Sequence, residues 1–267
     1  MYADTVQKFA ETGAAKARWF SQNPLGFMVA AAMAGIYVGF GILLIFSLGS
    51  GLEPAVRPLV MGVSFGLALI LVVFAGSELY TGYTMTMTVA TLEKRTTAGQ
   101  WAGLLAATWL GNAIGAVLLS ALFVSGGGGL VMAKTANGFI DAVAAAKMNG
   151  DAIQLVCRAI LCNWLVCLAL WMASRANSDS AKMIAIAWCL FAFIASGYEH
   201  SVANMTIFAV ALMAPHPDTV TLGGAAWNLL WVTIGNTIAG AGLMGVAYWV
   251  TSKPARAAGV LASQPAE

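Results

Sequence analysis

The sequence predicts an all-α membrane protein with six transmembrane helices, of which the second and fifth are broken near mid-membrane. Three observations predict it. Of the 267 residues, 60% are apolar and only 9% charged, whereas soluble domains carry about 25% charged residues. The charges fall between long apolar stretches. Two of these stretches are unusually long, and each is interrupted by a single glutamate among glycines and hydroxyl side chains.

Six apolar stretches are long enough to cross a membrane, which takes roughly 20 helical residues. They lie near 27–49, 58–92, 98–124, 152–174, 183–213 and 222–251. We interpret 27–251 as one transmembrane domain, followed by a cytoplasmic tail over 252–267. The charged segment 1–26 has no apolar core of its own and is predicted to be cytoplasmic or interfacial, with a short amphipathic helix at the membrane surface.

The distribution of basic residues predicts the orientation in the membrane. An even number of spans places both termini on one side. That side carries nine basic residues: Lys8, Lys16, Arg18, Lys94, Arg95, Arg175, Lys182, Lys253 and Arg256. The other side carries three: Arg57, Lys134 and Lys147. The positive-inside rule therefore predicts that both termini are cytoplasmic.

The second and fifth spans each contain a segment that disfavours a continuous helix. Residues 76–84 combine glycines and hydroxyls with Glu78, and residues 196–201 combine a glycine and serines with Glu199 and His200. Such side chains weaken a helix and compete for its backbone. Unwound backbone at membrane depth is tolerated only inside protein or along a wet cavity. Two matched interruptions therefore indicate a transport site.

The two halves of the chain repeat one another weakly. Glu78 is followed after 34 residues by Asn112 in a Gly-Asn pair, and Glu199 is followed after 37 residues by Asn236 in another. Because three spans follow three spans, the halves must run in opposite directions across the membrane. This order predicts inverted repeats over about 27–124 and 152–251.

Ionisable residues inside hydrocarbon are costly and are functional candidates by default. His200 is the main candidate, because imidazole can donate hydrogen bonds to a small anion or pass a proton to the conjugate base of a weak acid. A neutral histidine satisfied by a neighbouring hydroxyl or carbonyl is the alternative. We expect Glu78 and Glu199 to support the breaks by accepting hydrogen bonds from freed backbone, since they would repel an anion.

Further residues are candidates along a pathway. Arg158 either forms a cationic funnel with Lys147 or extends to lipid headgroups, and both interpretations stay open. Thr81 lies within the first break, which favours a pathway role. For Asn236, a role in the pathway and a role in helix packing both stay open. For Asn112 and Asn163, packing is favoured. The large side chains Leu69, Tyr80 and Phe193 lie near the breaks and are candidates to close the pathway on either side of His200.

Other functional classes find little support. The net charge of +2 gives no indication of a nucleic-acid partner. The four cysteines lie in apolar runs without a C-x-x-C pair, so we expect buried packing residues, with no metal or cofactor. No Ser/His/Asp set or paired carboxylates suggest an intramembrane enzyme. A non-transporting scaffold subunit remains an alternative.

Several motifs resemble those of the formate–nitrite transporter family. The string Phe-Ile-Ala-Ser-Gly-Tyr-Glu-His-Ser-Val-Ala-Asn-Met at 193–205 resembles its fifth-helix signature. Residues 76–82 resemble its second-helix loop, 232–236 its sixth-helix motif, and 23–25 the start of its first helix. Residues 77–85 and 162–169, together with a basic residue at Arg158, look most like the nitrite branch.

The resemblance implies an aquaporin-like fold, a homopentamer with one pathway per protomer, and a bacterial inner-membrane location. It implies nitrite as substrate, with formate, hydrosulfide or another small monovalent anion as alternatives and proton coupling left open. His200 would be the central histidine and Thr81 the loop threonine facing it. Asn236 would line the pathway and Lys147 its vestibule. The constriction positions would be Leu69, Tyr80 and Phe193, although the family usually has phenylalanine where this chain has Tyr80.

Overall fold

The computed structural model describes residues 2–253. These residues form helices, turns and loops, without a strand among them. Residues 254–267, which include most of the expected cytoplasmic tail, lie outside the described part. The helices are α1 Ala3–Gln22, α2 Pro24–Gly49, α3 Arg57–Ala75, α4 Tyr80–Leu92, α5 Ala98–Ser125, α6 Phe139–Met148, α7 Ala152–Arg175, α8 Asp179–Ala195, α9 Ser201–Met213, α10 Leu222–Thr237 and α11 Ala247–Ser252, with a π-helical segment Ile238–Val246 between the last two.

The long apolar helices coincide with the predicted spans to within a few residues. Within the described residues, five helical stretches are long and apolar enough to cross a membrane: α2, α3, α5, α7 and the continuous run from α10 to α11. The shorter helix α9 is also apolar. The second predicted span corresponds to α3 and α4 together, and the fifth corresponds to α8 and α9.

Side-chain caps mark where several of these helices begin. Asn23 accepts a hydrogen bond from the Gly26 amide at 2.9 Å, and Pro24 occupies the first turn of α2, where its missing N–H costs nothing. Thr97 and Gln100 form a reciprocal capping box at the start of α5. Polar residues at the ends of the apolar stretches therefore satisfy backbone amides that the helix leaves unpaired.

Both predicted breaks are present. Helix α3 ends at Ala75, and the chain turns through Gly76, whose φ is +77°, before α4 begins. Helix α8 ends at Ala195, and the chain turns through Gly197, with φ +68°, before α9 begins. These left-handed φ values are accessible to glycine at little cost, which explains the glycine in each interruption.

Small residues let the helices beside the breaks approach one another closely. Gly115 of α5 packs against the backbone of Ala32 in α2, and a Cβ at Gly115 would overlap the Ala32 carbonyl oxygen. In the second half, a Cβ at Gly235 of α10 would lie 2.5 Å from the Val156 carbonyl oxygen of α7. Close packing of this kind holds α5 and α10 against the helices that border the two breaks.

The N-terminal helix α1 is packed against the protein rather than lying only at the membrane surface. Its Val6, Phe9 and Ala10 are buried, and Gly13 lies directly against Ala90 of α4. The amphipathic helix expected within 1–26 is thus present. One of its faces is covered by the helices of the predicted transmembrane domain.

Glu93, just after α4, binds residues near both ends of the described chain. Its carboxylate accepts hydrogen bonds from Gln7 of α1 at 2.9 Å and from the Trp249 indole of α11 at 2.7 Å, and it pairs with Lys253. The Lys253 ammonium, helped by Gln7 and Trp249, holds the pKa of the Glu93 carboxyl below its ordinary value. These contacts keep α1 and α11 together at one end of the helical bundle.

We expect the substitution Gly115→Ala to destabilise the protein by about 1–3 kcal/mol, because its Cβ would force α2 and α5 apart. Gly103→Ala in the same helix is the matched control, since nothing lies within 4 Å of a Cβ there. The control should be neutral or gain up to about 1 kcal/mol from helix propensity. Thermal unfolding of the purified variants in detergent measures both, and equal melting temperatures would contradict this packing.

Candidate functional site

Three cavities lie in series through the structure and share lining residues. An inner cavity of about 390 Å³ includes Lys16 and Glu78 in its wall. An outer cavity of about 160 Å³ includes Lys147. Between them is a central cavity of about 10 Å³. Leu69 and Leu79 line both the inner and central cavities, while Phe193 and His200 line both the central and outer ones. This arrangement defines a pathway that apolar side chains narrow on either side of the central cavity.

His200 is held in one orientation at the centre. Its Nδ1 accepts the Ala203 amide at 3.1 Å, which also caps helix α9. Its Nε2 lies 3.2 Å from the Thr81 hydroxyl, and the Phe193 ring stacks on the imidazole with ring centroids 5.9 Å apart. Because a nitrogen that accepts an amide N–H carries no proton, the ring proton of the neutral imidazole lies on Nε2. His200 thus directs a hydrogen-bond donor towards Thr81.

Thr81 is fixed through its backbone. Its carbonyl accepts hydrogen bonds from the Thr84 hydroxyl at 2.6 Å and from Asn163 Nδ2 at 3.3 Å. Asn163 also donates to the Asn236 carbonyl at 2.6 Å, and so connects the first turn of α4 with α10. The Thr81 hydroxyl that faces His200 is therefore positioned by a contact from α7, and the side chain that makes this contact is also bonded to α10.

Helices α4 and α9 both begin beside the contact between Thr81 and His200. Their first residues are Tyr80 and Ser201. A helix N-terminus carries a partial positive charge and amides that are not used within the helix. Two such termini at the centre of the pathway favour a small anion over a cation.

The amide of Asn112 satisfies the backbone of the first break. Its Oδ1 accepts the Tyr80 amide at 2.9 Å, and its Nδ2 donates to the carbonyls of Glu78 at 2.9 Å and Ala31 at 2.8 Å. The Glu78 amide donates in turn to the Ala30 carbonyl of α2. Asn112 is thus more than the packing residue that the sequence favoured.

Asn236 makes the same three contacts at the second break. Its Oδ1 accepts the Ser201 amide at 3.0 Å, and its Nδ2 donates to the carbonyls of Glu199 at 3.1 Å and Ala159 at 2.9 Å. Its side chain is fully buried. Asn236 was expected as a pathway-lining residue, but its amide hydrogen bonds are made to the backbone at the break.

The two glutamates are each neutralised by a lysine from a helix that precedes its half of the bundle. Glu78 pairs with Lys16 of α1 and accepts the Tyr83 hydroxyl at 2.6 Å. Glu199 pairs with Lys147 of α6 at 2.8 Å and accepts Asn204 Nδ2 at 2.6 Å. Both carboxylates are almost completely buried.

The expectation that these carboxylates bind freed backbone is wrong in its detail, because each side chain binds other side chains. The backbone role belongs to Asn112 and Asn236. The glutamates support the breaks indirectly, by fixing Lys16 and Lys147 in the walls of the inner and outer cavities.

Three other predicted site residues line none of the three cavities: Thr81, which reaches the pathway only through its contact with His200, Tyr80 and Arg158. The Tyr80 hydroxyl binds Thr237 Oγ1 at 2.6 Å, so its side chain reaches α10, and Leu79 lines the pathway beside it. The Arg158 side chain is exposed on the outer surface of α7. Its backbone carbonyl contacts the second break, where it accepts a hydrogen bond from the Glu199 amide. The structure therefore does not bring Arg158 and Lys147 together in a funnel.

The sequence did not predict a pathway role for Leu79 or Lys16, nor the positioning role of Asn163. Lys16 could have been found from the repeat, because it shortly precedes the first span as Lys147 shortly precedes the fourth. Leu79 had no such signal, since which of two adjacent residues in an unwound segment faces the pathway depends on the local backbone.

We expect Lys147→Met to destabilise the protein by about 3–5 kcal/mol, because Glu199 would be left buried without its cationic partner. The double substitution Lys147→Met with Glu199→Gln removes that charge and should recover most of the loss. Lys134→Met, at an exposed lysine, is the control. Thermal unfolding of the unmodified protein, the single variants Lys147→Met and Glu199→Gln, the double variant and the control measures the coupling, and additive effects of the two single substitutions would contradict the pair.

Fold and site together define a multi-span membrane protein with a pathway through two broken helices, which is the architecture of channels and transporters. The model of the family described as "Formate/nitrite transporter" matches residues 3–250. The chain belongs to this family.

Named relatives cover nearly the whole chain. "Nitrite transporter NirC" of Salmonella typhimurium is 52% identical over 99% of this chain and 98% of its own length. The protein of the same name from Escherichia coli is 52% identical over 96% of this chain and 94% of its own. "Formate channel FocA" of Escherichia coli is 34% identical over 90% of each.

Solved structures show the same fold. An "FNT family ion channel" superposes with a TM-score of 0.91 at 52% identity, covering 94% of this chain and 99% of that one. A "Pentameric formate channel with formate bound" superposes with a TM-score of 0.72 at 24% identity, covering 85% and 96%. These likenesses confirm the expected all-helical, aquaporin-like fold, while the inverted 3+3 arrangement stays a prediction.

Proposed function

We propose that the protein transports nitrite across the bacterial inner membrane through the three cavities in series. The observation that carries this proposal is the contact between His200 and Thr81 at the point where two helix N-termini meet. The relatives named as nitrite transporters, at 52% identity over almost the full chain, support nitrite as the substrate.

The electrostatics of the pathway suit a small monovalent anion. Lys16 and Lys147 place a cation in the wall of the inner and outer cavities, and their pairing with Glu78 and Glu199 keeps each attraction weak enough for release. At the centre, His200 Nε2 supplies a donor without a fixed counter-charge. An anion would thus move from one weak site to the next.

The central cavity is closed to an anion in the described conformation. Its volume of about 10 Å³ is barely enough for one water molecule, which needs roughly 10–15 Å³. Passage therefore requires movement of Leu69, Leu79 or Phe193. These three apolar side chains raise the free energy of an anion that has no hydrogen-bond partner. They therefore favour an anion that shares a proton or accepts a strong hydrogen bond as it passes.

Proton transfer at His200 would be coupled to the hydrogen bond that orients the ring. Adding a second proton places it on Nδ1, which now accepts the Ala203 amide, so that bond would have to break. A hydrogen bond to an anion instead uses the proton already on Nε2, whereas transfer of that proton requires that His200 first gain a second proton on Nδ1. Channel-like passage and proton-coupled transport both fit this geometry, and the pH dependence of flux separates them.

The proposal includes inverted repeats over about 27–124 and 152–251, with both termini cytoplasmic. Matched contacts support the repeats, because Lys16, Glu78 and Asn112 have counterparts in Lys147, Glu199 and Asn236. The repeat also extends to the helices α1 and α6, which supply the two lysines. The distribution of basic residues supports the orientation.

A homopentamer with one pathway per protomer completes the proposal. Its support is the likeness to the pentameric formate channel, whose fold this chain shares. The cavities described above lie within a single chain, which is consistent with one pathway in each protomer.

Transport of formate or a similar small monovalent anion is the alternative. One donor pair at His200 and Thr81 does not distinguish nitrite from formate, because both are small planar anions with two terminal oxygens. The identity of 34% to a formate channel, against 52% to nitrite transporters, favours nitrite. Nitrite flux measured against an excess of formate tests the order of preference.

We expect His200→Asn to remove the pH dependence of nitrite flux in proteoliposomes, since asparagine keeps a donor at this site but cannot titrate. His216→Asn is the matched control, because His216 is the only other histidine and lies in an exposed loop. The control should keep the pH profile of the unmodified protein. An unchanged profile in His200→Asn would exclude a proton relay at this residue.

We expect Leu79→Ala to raise nitrite flux, because Leu79 lines the junction between the inner and central cavities. A barrier lowered by about 1 kcal/mol corresponds to roughly a fivefold gain. Tyr80→Phe removes only the hydroxyl bound to Thr237 and should change flux by less than about twofold. A large effect of Tyr80→Phe with none from Leu79→Ala would restore Tyr80 as the constriction.

A further inference from the structure

The last long helix of the described chain changes its hydrogen bonding just after Asn236. Residues Ile238–Val246 form a π-helical segment, in which amides bond to the carbonyl five residues earlier instead of four. The Ala247 amide, for example, donates to the Gly242 carbonyl. π-Helical hydrogen bonding is rare, occurs mostly as a single turn inside an α-helix, and is frequent at functional sites.

Two glycines of this segment lie against α4, the helix that carries Thr81. A Cβ at Gly240 would overlap Thr84 Oγ1, and a Cβ at Gly245 would lie 3.1 Å from the Thr88 Cβ. The two threonines are four residues apart and share one face of α4. Residues five apart in an α-helix point about 140° away from one another, whereas π-helical bonding sets them almost one above the other. The π-helical segment therefore lets both glycines face the same side of α4.

Thr84 connects this contact to the Thr81 backbone. Its hydroxyl donates to the Thr81 carbonyl at 2.6 Å and accepts Asn163 Nδ2 at 3.0 Å. Asn163 Nδ2 and the Cys167 thiol also lie within hydrogen-bond distance of that carbonyl, at 3.3 and 3.5 Å. Thr84, Asn163 and Cys167 are fully buried. The Thr81 carbonyl is thus held by three buried side chains, and Gly240 lies directly against one of them.

A side chain at position 240 would displace this network. Its Cβ would lie 2.9 Å from Asn163 Nδ2 as well as overlapping the Thr84 hydroxyl. Rotation of that hydroxyl would not remove the overlap, because the Thr84 Cβ itself would be only 2.8 Å away. The first turns of α4 would have to move, and Thr81 lies in them.

We propose that Gly240 is a positioning residue for Thr81. The π-helical segment places Gly240 where it leaves room for the Thr84 hydroxyl, and this hydroxyl holds Thr81 within hydrogen-bond distance of His200 Nε2. Gly240 lines none of the three cavities, so it acts on the pathway from outside. The consequence for flux rests on the function proposed above, whereas the contact between Thr81 and His200 can be measured without transport.

The test is NMR of the ¹⁵N-histidine-labelled, full-length His216→Gln protein, together with nitrite flux in proteoliposomes. We expect Gly240→Ala to move the Nε2–H proton resonance of His200 upfield, because its hydrogen bond to Thr81 lengthens. Nitrite flux should fall about tenfold, which corresponds to the loss of one hydrogen bond. Gly242→Ala is the matched control in the same segment, since nothing lies within 4 Å of a Cβ there, and it should keep both the resonance and the flux.

Two variants of Thr84 test the connection even if Gly240→Ala fails to fold. Thr84→Val keeps the shape of the side chain but has no hydroxyl for the Thr81 carbonyl, so it should move the His200 resonance in the same direction. Thr84→Ser keeps the hydroxyl and should restore the resonance and most of the flux that Thr84→Val loses.

Two results would overturn the proposal. The first is an unchanged His200 resonance in Thr84→Val or in folded Gly240→Ala. The second is the same change of resonance in Gly13→Ala, whose Cβ would crowd Ala90 at the other end of α4, because any packing fault in α4 would then produce it. Absence of nitrite flux in the unmodified protein, with the resonance still moved by Gly240→Ala, would refute the proposed function and support the positioning role.

Discussion

A chain that leaves its helix inside a membrane must satisfy the freed backbone groups within the protein, because hydrocarbon offers no partners. In this protein that requirement is met twice in the same way. Asn112 and Asn236 each accept one amide and donate to two carbonyls across a break. With these contacts in place, α4 and α9 can begin in the middle of the bundle. The positions of Thr81 and His200 follow from where these two helices begin.

The same contacts explain how a central donor and two flanking cations can coexist in a largely apolar bundle. His200 is the residue that caps α9, so the hydrogen bond that ends the break also sets the direction of its Nε2. Lys16 and Lys147 lie in the cavity walls, where each is paired with a buried glutamate. Pairing reduces the cost of burying each charge and leaves a moderate attraction for an anion, which suits passage better than tight binding.

Much of the fold could be predicted from the sequence, because membrane insertion depends on the length and polarity of segments. Charge spacing located the spans, and glycines beside Glu78 and Glu199 located the breaks. The orientation of single side chains was harder. Tyr80 was expected at a constriction, but an unwound segment has no fixed periodicity, and Leu79 faces the pathway instead. Arg158 was a candidate because charge at membrane depth is costly, yet its side chain is on the outer surface of α7.

The most direct test of the account is the position of the proton on His200. ¹⁵N-histidine NMR of the His216→Gln protein reports on this ring alone, since the chain has only two histidines. At pH 7.5 we expect a protonated Nε2 and an unprotonated Nδ1 that accepts the Ala203 amide. A neutral ring with its proton on Nδ1 would contradict it, because α9 would lose its cap and the pathway its central donor.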